Sequence, residues 1–317
     1  MLKSLSELIK ENIVDYELRI NSEFGLNGIP SGFVHLDNVL CGWQKSELIT
    51  IAGMTSVGKT SLMLSAVRNA SVEFGIPTAI FSYENSSNKI VDRLFAMEAE
   101  IEMMRLNKGK LAAYEWEQLI HKTRELNHAP IFIDDNCSLT LEQLLESAEE
   151  IVKNNNIEAL FIDDIHHIRV TKTNREQEIS YIVRELKRLA RLLNIPIIAL
   201  SRINRRIFDV LNKRPSLEHL KDSGDIEHHS DTVLLLNRPE MHGITEDENG
   251  ESTLGIMELI IAKHRHGSLE QIPLKFIQKF AKITDLEANN FGFNNEPMWP
   301  SNSDFSEQVD PDNDAPF

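Results

Sequence analysis

Gly53-Met54-Thr55-Ser56-Val57-Gly58-Lys59-Thr60 has the spacing of a loop that wraps a phosphate chain. Its glycines let the backbone turn N–H groups inward, and a helix beginning at Lys59 adds its N-terminal end to the same anion. Lys59 then reaches the β- and γ-phosphates, and the Thr60 hydroxyl binds Mg²⁺. The context supports the pattern, because the apolar run 47–52 precedes it and Leu62, Leu64, Ala66, Val67 and Ala70 follow at helical spacing. The expected ATP contacts are Gly53, Thr55, Ser56, Val57, Gly58, Lys59, Thr60 and Ser61.

A loop of this kind needs a second acid, on a neighbouring strand, to hold the metal through water. Asp163, closing the apolar run Ala159-Leu160-Phe161-Ile162, supplies one. Hydrolysis needs a further carboxylate to orient or deprotonate water. Glu84 and Asp164 compete for that role. Glu84 ends the run Ala79–Tyr83 beside the expected place of the loop's own strand, whereas strand alternation should turn Asp164 away from the metal. Glu84 is preferred.

The elements that position these residues alternate. Strand-like runs fall at 47–52, 78–82, 131–134, 158–163, 196–201, 231–237, 256–263 and 272–277, with helical patterns at about 59–74, 86–101, 113–127, 140–154 and 175–193. Near-continuous apolar strands between helices predict a mainly parallel sheet covered on both faces. The last three runs lack intervening helices, so antiparallel strands are expected at the C-terminal edge. Ahead of this body, residues 2–20 read as a short amphipathic helix, with Ser4 and Glu7 spaced as a capping box.

The chain of 317 residues carries a formal charge of −16, with 41% hydrophobic residues and two cysteines. A disulfide framework and a cysteine-rich zinc site are thereby excluded. No apolar run is long enough to span a membrane, and early charges interrupt any signal peptide, so a cytoplasmic protein is expected. The acidic balance speaks against nucleic acid, but its distribution is uneven. Segment 289–317 holds six acids and no Lys or Arg, leaving −10 on the body, which has basic clusters at 184–191, 202–206, 213–214 and 263–265. Net charge does not decide local binding.

Gly28-Ile29-Pro30-Ser31-Gly32-Phe33, Phe81-Ser82-Tyr83-Glu84-Asn85-Ser86, Phe161-Ile162-Asp163-Asp164, Ala199-Leu200-Ser201-Arg202, Arg214-Pro215-Ser216-Leu217, Asp222-Ser223-Gly224-Asp225-Ile226-Glu227 and Ala262-Lys263-His264-Arg265-His266-Gly267 occur in order around the phosphate loop. Together they resemble the C-terminal motor domain of DnaB-type replicative helicases, over about residues 28–286. The resemblance implies a RecA-like P-loop ATPase using ATP and Mg²⁺. It also implies a homohexameric ring moving 5′ to 3′ on single-stranded DNA. By the same resemblance Glu84 is the catalytic carboxylate and Asp163 the metal-holding acid. Lys263 and Arg265 are the pair inserted into a neighbour's ATP site. Arg205, Asp222 and Gly224 fall where central loops touch the DNA backbone. A solvated surface arginine is the plain alternative for Arg265.

Departures from the pattern accompany the likeness. Asp164 and His166 stand where the family has Tyr and Gln, and Arg202 stands where it has Gln at a position coupling nucleotide state to the DNA loops. The family's N-terminal helical domain has no counterpart in this sequence, and residues 2–20 resemble only the linker helix that docks on an adjacent motor domain. Three segments are expected: 1–27 as helix and hinge, 28–288 as the ATPase domain, and 289–317 as a disordered acidic tail.

Two weaker signals remain. His166, His167, His219, His228, His229, His264 and His266 lack zinc spacing and read as polar loop and helix residues. The tip Asp310-Pro311-Asp312-Asn313-Asp314-Ala315-Pro316-Phe317 resembles the acidic end of bacterial single-stranded DNA-binding proteins, which docks on replication partners. A solubilising tail is the equal alternative. The function expected is an ATP-dependent DNA helicase acting in replication. The rivals are a RadA- or KaiC-like ATPase without ring-type unwinding, and a non-motor module that binds nucleotide and replication partners.

Overall fold

Every residue of Leu48–Gly53 is buried, as a strand covered on both faces must be. This strand, β1, lies inside a nine-stranded sheet of a computed structural model that describes residues 4–20, 26–170, 174–204, 207, 214–220, 224–247 and 250–286. The other strands are β2 (Thr78–Ser82), β3 (Ile131–Asp134), β4 (Ala159–Asp163), β5 (Ile197–Arg202), β6 (Thr232–Asn237), β7 (Ile256–His264), β8 (Gln271–Ile277) and β9 (Lys282–Asp285). Their order is β3-β2-β4-β5-β1-β6-β7-β8-β9. Pairing is parallel from β3 to β6 and antiparallel from β6 to β9. The mainly parallel sheet with an antiparallel C-terminal edge is therefore present. The sequence pattern shows neither the four-residue β9 nor the order of the strands.

The helices are α1 (Leu5–Ile20), α2 (Val34–Leu40), α3 (Lys59–Arg68), α4 (Ser87–Ala99), α5 (Met103–Lys108), α6 (Ala113–Lys122), α7 (Leu141–Asn155), α8 (Arg175–Leu193) and α9 (Gly224–His229), of which α3 and α4 cover one face of the sheet and α7 and α8 the other. Strand alternation sends neighbouring side chains to two separate cores. Ile49, Ile51, Leu234 and Leu236 join α3 and α4 on one face, while Leu48, Ala52, Val233 and Leu235 join α7 and α8 on the other.

The expected span 175–193 matches α8 residue for residue. Asn174 caps its start by accepting the Gln177 N–H at 2.9 Å, and Asn194 ends it in the left-handed region at φ 54°. Ile179, Ile182, Val183, Leu186 and Leu189 recur on one buried stripe. Truncating Leu186 to Ala would cost about 2–5 kcal/mol through lost contacts and a residual cavity. The opposite basic face is largely solvated, except that Lys187 reaches Asp231 at 2.6 Å. In α1 the capping box is formed, Ser4 Oγ accepting from Glu7 N–H at 3.3 Å and Glu7 Oε2 from Ser4 N–H at 2.8 Å. Leu5, Leu8, Ile9, Ile13 and Val14 of that helix are exposed.

Ahead of β1, the turn before α2 is organised by Asp37. Its carboxylate accepts the Ser31 and Gly32 N–H groups at 2.9 and 3.0 Å. Burial raises its pKa to about 6 despite those bonds.

Candidate phosphate-binding cleft

The loop 53–60 joins the carboxyl end of β1 to α3. Gly58 adopts φ +117°, a conformation other residues rarely tolerate, and a Cβ on Gly53 would meet Val57 Cγ1 at 2.8 Å. Gly58 is also the N-cap of α3 and brings no capping side chain. The first-turn N–H groups of α3, which have no intrahelical acceptor, are thus available to an anion. Lys59 Nζ donates to the carbonyls of Gly53 and Met54, each at 2.9 Å. Burial lowers its pKa, and the charges of Asp164 and Asp163 oppose that shift.

A cleft of about 310 Å³ opens here, lined by Thr55, Ser56, Gly58, Lys59, Thr60 and Ser61 and closed by Glu84, Asn85, Arg93, Asp163, Arg202 and Phe276. Gly53 and Val57, also expected at the site, do not line it. Val57 is buried in the core, leaving only its backbone toward the loop. Arg93 and Phe276 carry no mark in the sequence, because their positions depend on how α4 and β8 pack rather than on local spacing.

Asp163 is the last residue of β4 and is buried. Its Oδ2 accepts the Thr60 hydroxyl at 3.0 Å and the Asn85 amide at 3.4 Å. Burial lifts its pKa to about 6, the Thr60 bond pulls it down, and the neighbouring charges of Asp164 and Glu84 push it up. A hydroxyl and a carboxylate that meet beside the phosphate loop are oxygen donors of the kind Mg²⁺ prefers. The residues present fit that ion.

Two positional expectations need correcting. β5 lies between β4 and β1, so Asp163 is not on the strand adjacent to the loop's own. For the same reason Glu84, just beyond β2, is not beside β1, since β4 and β5 intervene. Both acids still reach the cleft, because β1, β2, β4 and β5 run parallel and end at the same edge.

Asp164 is not among the residues that line the cleft. β4 ends at Asp163, so alternation no longer applies, and Asp164 caps a 3₁₀ turn over 165–167 by accepting the His166 N–H at 2.7 Å. Its other oxygen accepts Arg202 Nε at 2.7 Å. Glu84, Asp164 and His167 have ligand atoms within 4.8 Å of one another, as a cation trio would. The Arg202 guanidinium already donates to all three and takes the cation's place.

Lys263 and Arg265 lie elsewhere. Lys263 pairs with Val233 at the start of β6, and Arg265 N–H donates to Asp231 O at 3.1 Å. Asp231 N–H in turn donates to Leu48 O at 2.9 Å, which places the pair at the amino end of β1. The phosphate loop is at the carboxyl end, roughly 17 Å away along the strand. Lys263 Nζ donates to the carbonyls of Glu227 and Ser230 at 2.5 and 2.8 Å. Arg265 donates to His228 O at 3.1 Å and pairs with Asp231 at 3.3 Å.

Gly224 opens α9 on the surface, with open space where a Cβ would stand. Arg205 and Asp222 lie outside the described residues, as does the tail ending at Phe317. Among the described residues no helix is long and apolar enough to cross a membrane.

The family model of the DnaB-like helicase C-terminal domain matches residues 28–285. A probable replicative DNA helicase of Trieres chinensis is 38% identical over 82% of this chain and 58% of its own length. The replicative DNA helicase DnaB of Geobacillus stearothermophilus is 33% identical over 90% of this chain and 62% of its own. The chain thus spans about three-fifths of the length of these relatives. A DnaB-like replicative helicase, solved in a study of its interactions with primase, superposes with a TM-score of 0.78 at 27% identity, covering 90% of this chain and 68% of that one. A KaiC-like protein of Pyrococcus horikoshii, at 16% identity and TM-score 0.55, shares the RecA-like fold alone.

Proposed function

The chain belongs to the DnaB-like helicase C-terminal domain family, and we propose that it is an ATP-hydrolysing DNA helicase motor acting in replication. In this reading it assembles as a homohexameric ring and moves 5′ to 3′ on single-stranded DNA. The observation that carries the reading is the convergence of Lys59, Thr60, Glu84 and Asp163 on one cleft at the carboxyl edge of the parallel strands.

Lys59 exchanges its two loop carbonyls for the β- and γ-phosphates, and the α3 N-terminus faces the same anion. Thr60 and Asp163 would hold Mg²⁺, which would supply positive charge to offset that developing on the phosphates. Glu84 is half-exposed, so water reaches its carboxylate, which accepts a proton from the attacking water. Lys263 and Arg265 serve the cleft of a neighbouring copy, since their own cleft is at the other end of the sheet. Arg265 stabilises transition-state charge there.

The Arg205 guanidinium and the backbone N–H groups of Asp222 and Gly224 track the DNA phosphates without reading sequence. The exposed apolar residues of α1 suit docking on an adjacent subunit. The acidic tail ending at Phe317 contacts replication partners.

A fork-unwinding assay of wild type, Lys59→Ala and Glu84→Gln tests the whole reading. ATP-dependent unwinding by wild type and its loss in both variants is the expected result. Turnover without unwinding would favour a RadA- or KaiC-like ATPase. Absence of DNA-stimulated turnover would favour a nucleotide-binding module.

A further inference from the structure

Arg202 belongs to the cleft but has no part in the scheme above. It ends β5, in register with Gly53, the first residue of the phosphate loop. Its guanidinium is held at two strengths. Nε donates to Asp164 Oδ2 at 2.7 Å, and Asp164 is buried, with its other oxygen fixed by the His166 N–H. Nη2 donates to Glu84 Oε2 at 3.3 Å and to His167 Nε2. A guanidinium has no acceptor, so His167 accepts at Nε2 and carries its proton on Nδ1. The Asp164 contact is short, charged and shielded from water, and is therefore firm. The Glu84 contact is long and half-exposed, and such pairs are weak.

We propose that Arg202 is a phosphate-responsive latch on Glu84, a positioning residue built from the Asp164–Arg202 pair. Pivoting about the Nε–Asp164 bond, the Nη edge leaves Glu84 for the terminal phosphate of a bound nucleoside triphosphate. That phosphate carries more charge than one carboxylate and accepts several hydrogen bonds. A diphosphate does not extend to Arg202 and leaves the latch shut. Glu84 is thus released to its water only when there is a terminal phosphate to cleave. Asp164 and Arg202 act as one unit, with Asp164 as the fixed counter-ion that gives the guanidinium a pivot. The His166 ring, 3.1 Å from the Ser201 hydroxyl, braces the residue before Arg202. This inference rests on the proposed ATPase reading.

Equilibrium binding of ADP and of a non-hydrolysable ATP analogue, each with Mg²⁺, tests it. The proteins are wild type, Glu84→Gln, the pair Asp164→Asn/Arg202→Gln, and the triple combination. Removing both members of the ion pair leaves no buried charge unpartnered. The pair variant should lose about tenfold or more of the preference for the triphosphate analogue, with ADP affinity unchanged. Glu84→Gln should tighten the analogue about two- to fivefold by removing its competitor for Arg202. That gain should vanish in the triple variant. Equal loss for both nucleotides in the pair variant would make Arg202 structural and overturn the latch. A Glu84→Gln gain that persists without Arg202 would overturn it too. Wild type that binds neither nucleotide would overturn the ATPase reading and the latch with it, whereas normal binding without these couplings removes the latch alone.

Discussion

The two ends of the central sheet carry the same residue types and use them in opposite ways. At the carboxyl end, Lys59 and Arg202 face Glu84 and Asp163 across an open cleft. The two loop carbonyls on Lys59 and the half-exposed Glu84 carboxylate on Arg202 are partners a phosphate would displace, while buried Asp164 keeps its hold on Arg202. At the amino end, Lys263, Arg265 and Lys187 close over Asp231 and the last carbonyls of α9. Asp231 there also accepts the Leu48 N–H at 2.8 Å, so the cluster staples β1 to β6 and α8. Cations ringed by fixed acceptors stabilise a fold, whereas cations beside a cavity await a ligand. Arg265 is 44% exposed at this staple, and in the proposed reading it would meet phosphate only on a second copy of the chain.

Four substitutions sharpen that contrast, in falling order of effect. Arg265→Ala should lower steady-state ATP turnover of the assembled protein by about 10³-fold or more while leaving nucleotide binding intact. Glu84→Gln should lower turnover by about 10²–10⁴-fold with binding retained, measured in a single-turnover assay. The third compares two buried acids, Asp37 and Asp163, both raised to about 6 by burial. For Asp37 the native state holds its proton more tightly than the unfolded chain does. Its stabilising contribution is complete below its unfolded value of 3.8 and is lost as the pH rises through about 6. Urea unfolding should then show wild type losing up to about 3 kcal/mol relative to Asp37→Asn between about pH 4 and pH 7. Only Asp163 has the Thr60 hydroxyl beside a cleft. Asp163→Asn should weaken Mg²⁺-dependent nucleotide binding by about ten- to a hundredfold, and Asp37→Asn should leave it unchanged, by titration calorimetry.

How far the sequence discloses this arrangement depends on distance along the chain. The loop 53–60, the strand ending at Asp163 and the helix 175–193 are local patterns, and local patterns survive folding. The strand order is not local, and the pairing of Glu84 with the cleft across β4 and β5 depends on it. Strand alternation does not describe Asp164, which lies one residue past the end of β4. Its bond to Arg202, 38 positions away, is invisible without the packing of β4 on β5. Asp164, His166 and Arg202, which read in the sequence as separate departures, are joined in the fold through Arg202 and Ser201. β9 escapes the sequence pattern because Lys282-Ile283-Thr284-Asp285 holds one apolar residue, unlike the equally short Ile131-Phe132-Ile133-Asp134, and α5 because its six residues bury no face.

The central claim is that the cleft at one end of the sheet is completed by the opposite end of another copy. Mixing Lys59→Ala with Arg265→Ala and measuring DNA-stimulated ATP turnover tests it directly. Each variant alone should be nearly inactive. In mixed assemblies the intact phosphate loop of one chain meets the intact Arg265 of the other, and turnover should return. Mixed assemblies as inactive as either parent would contradict the account.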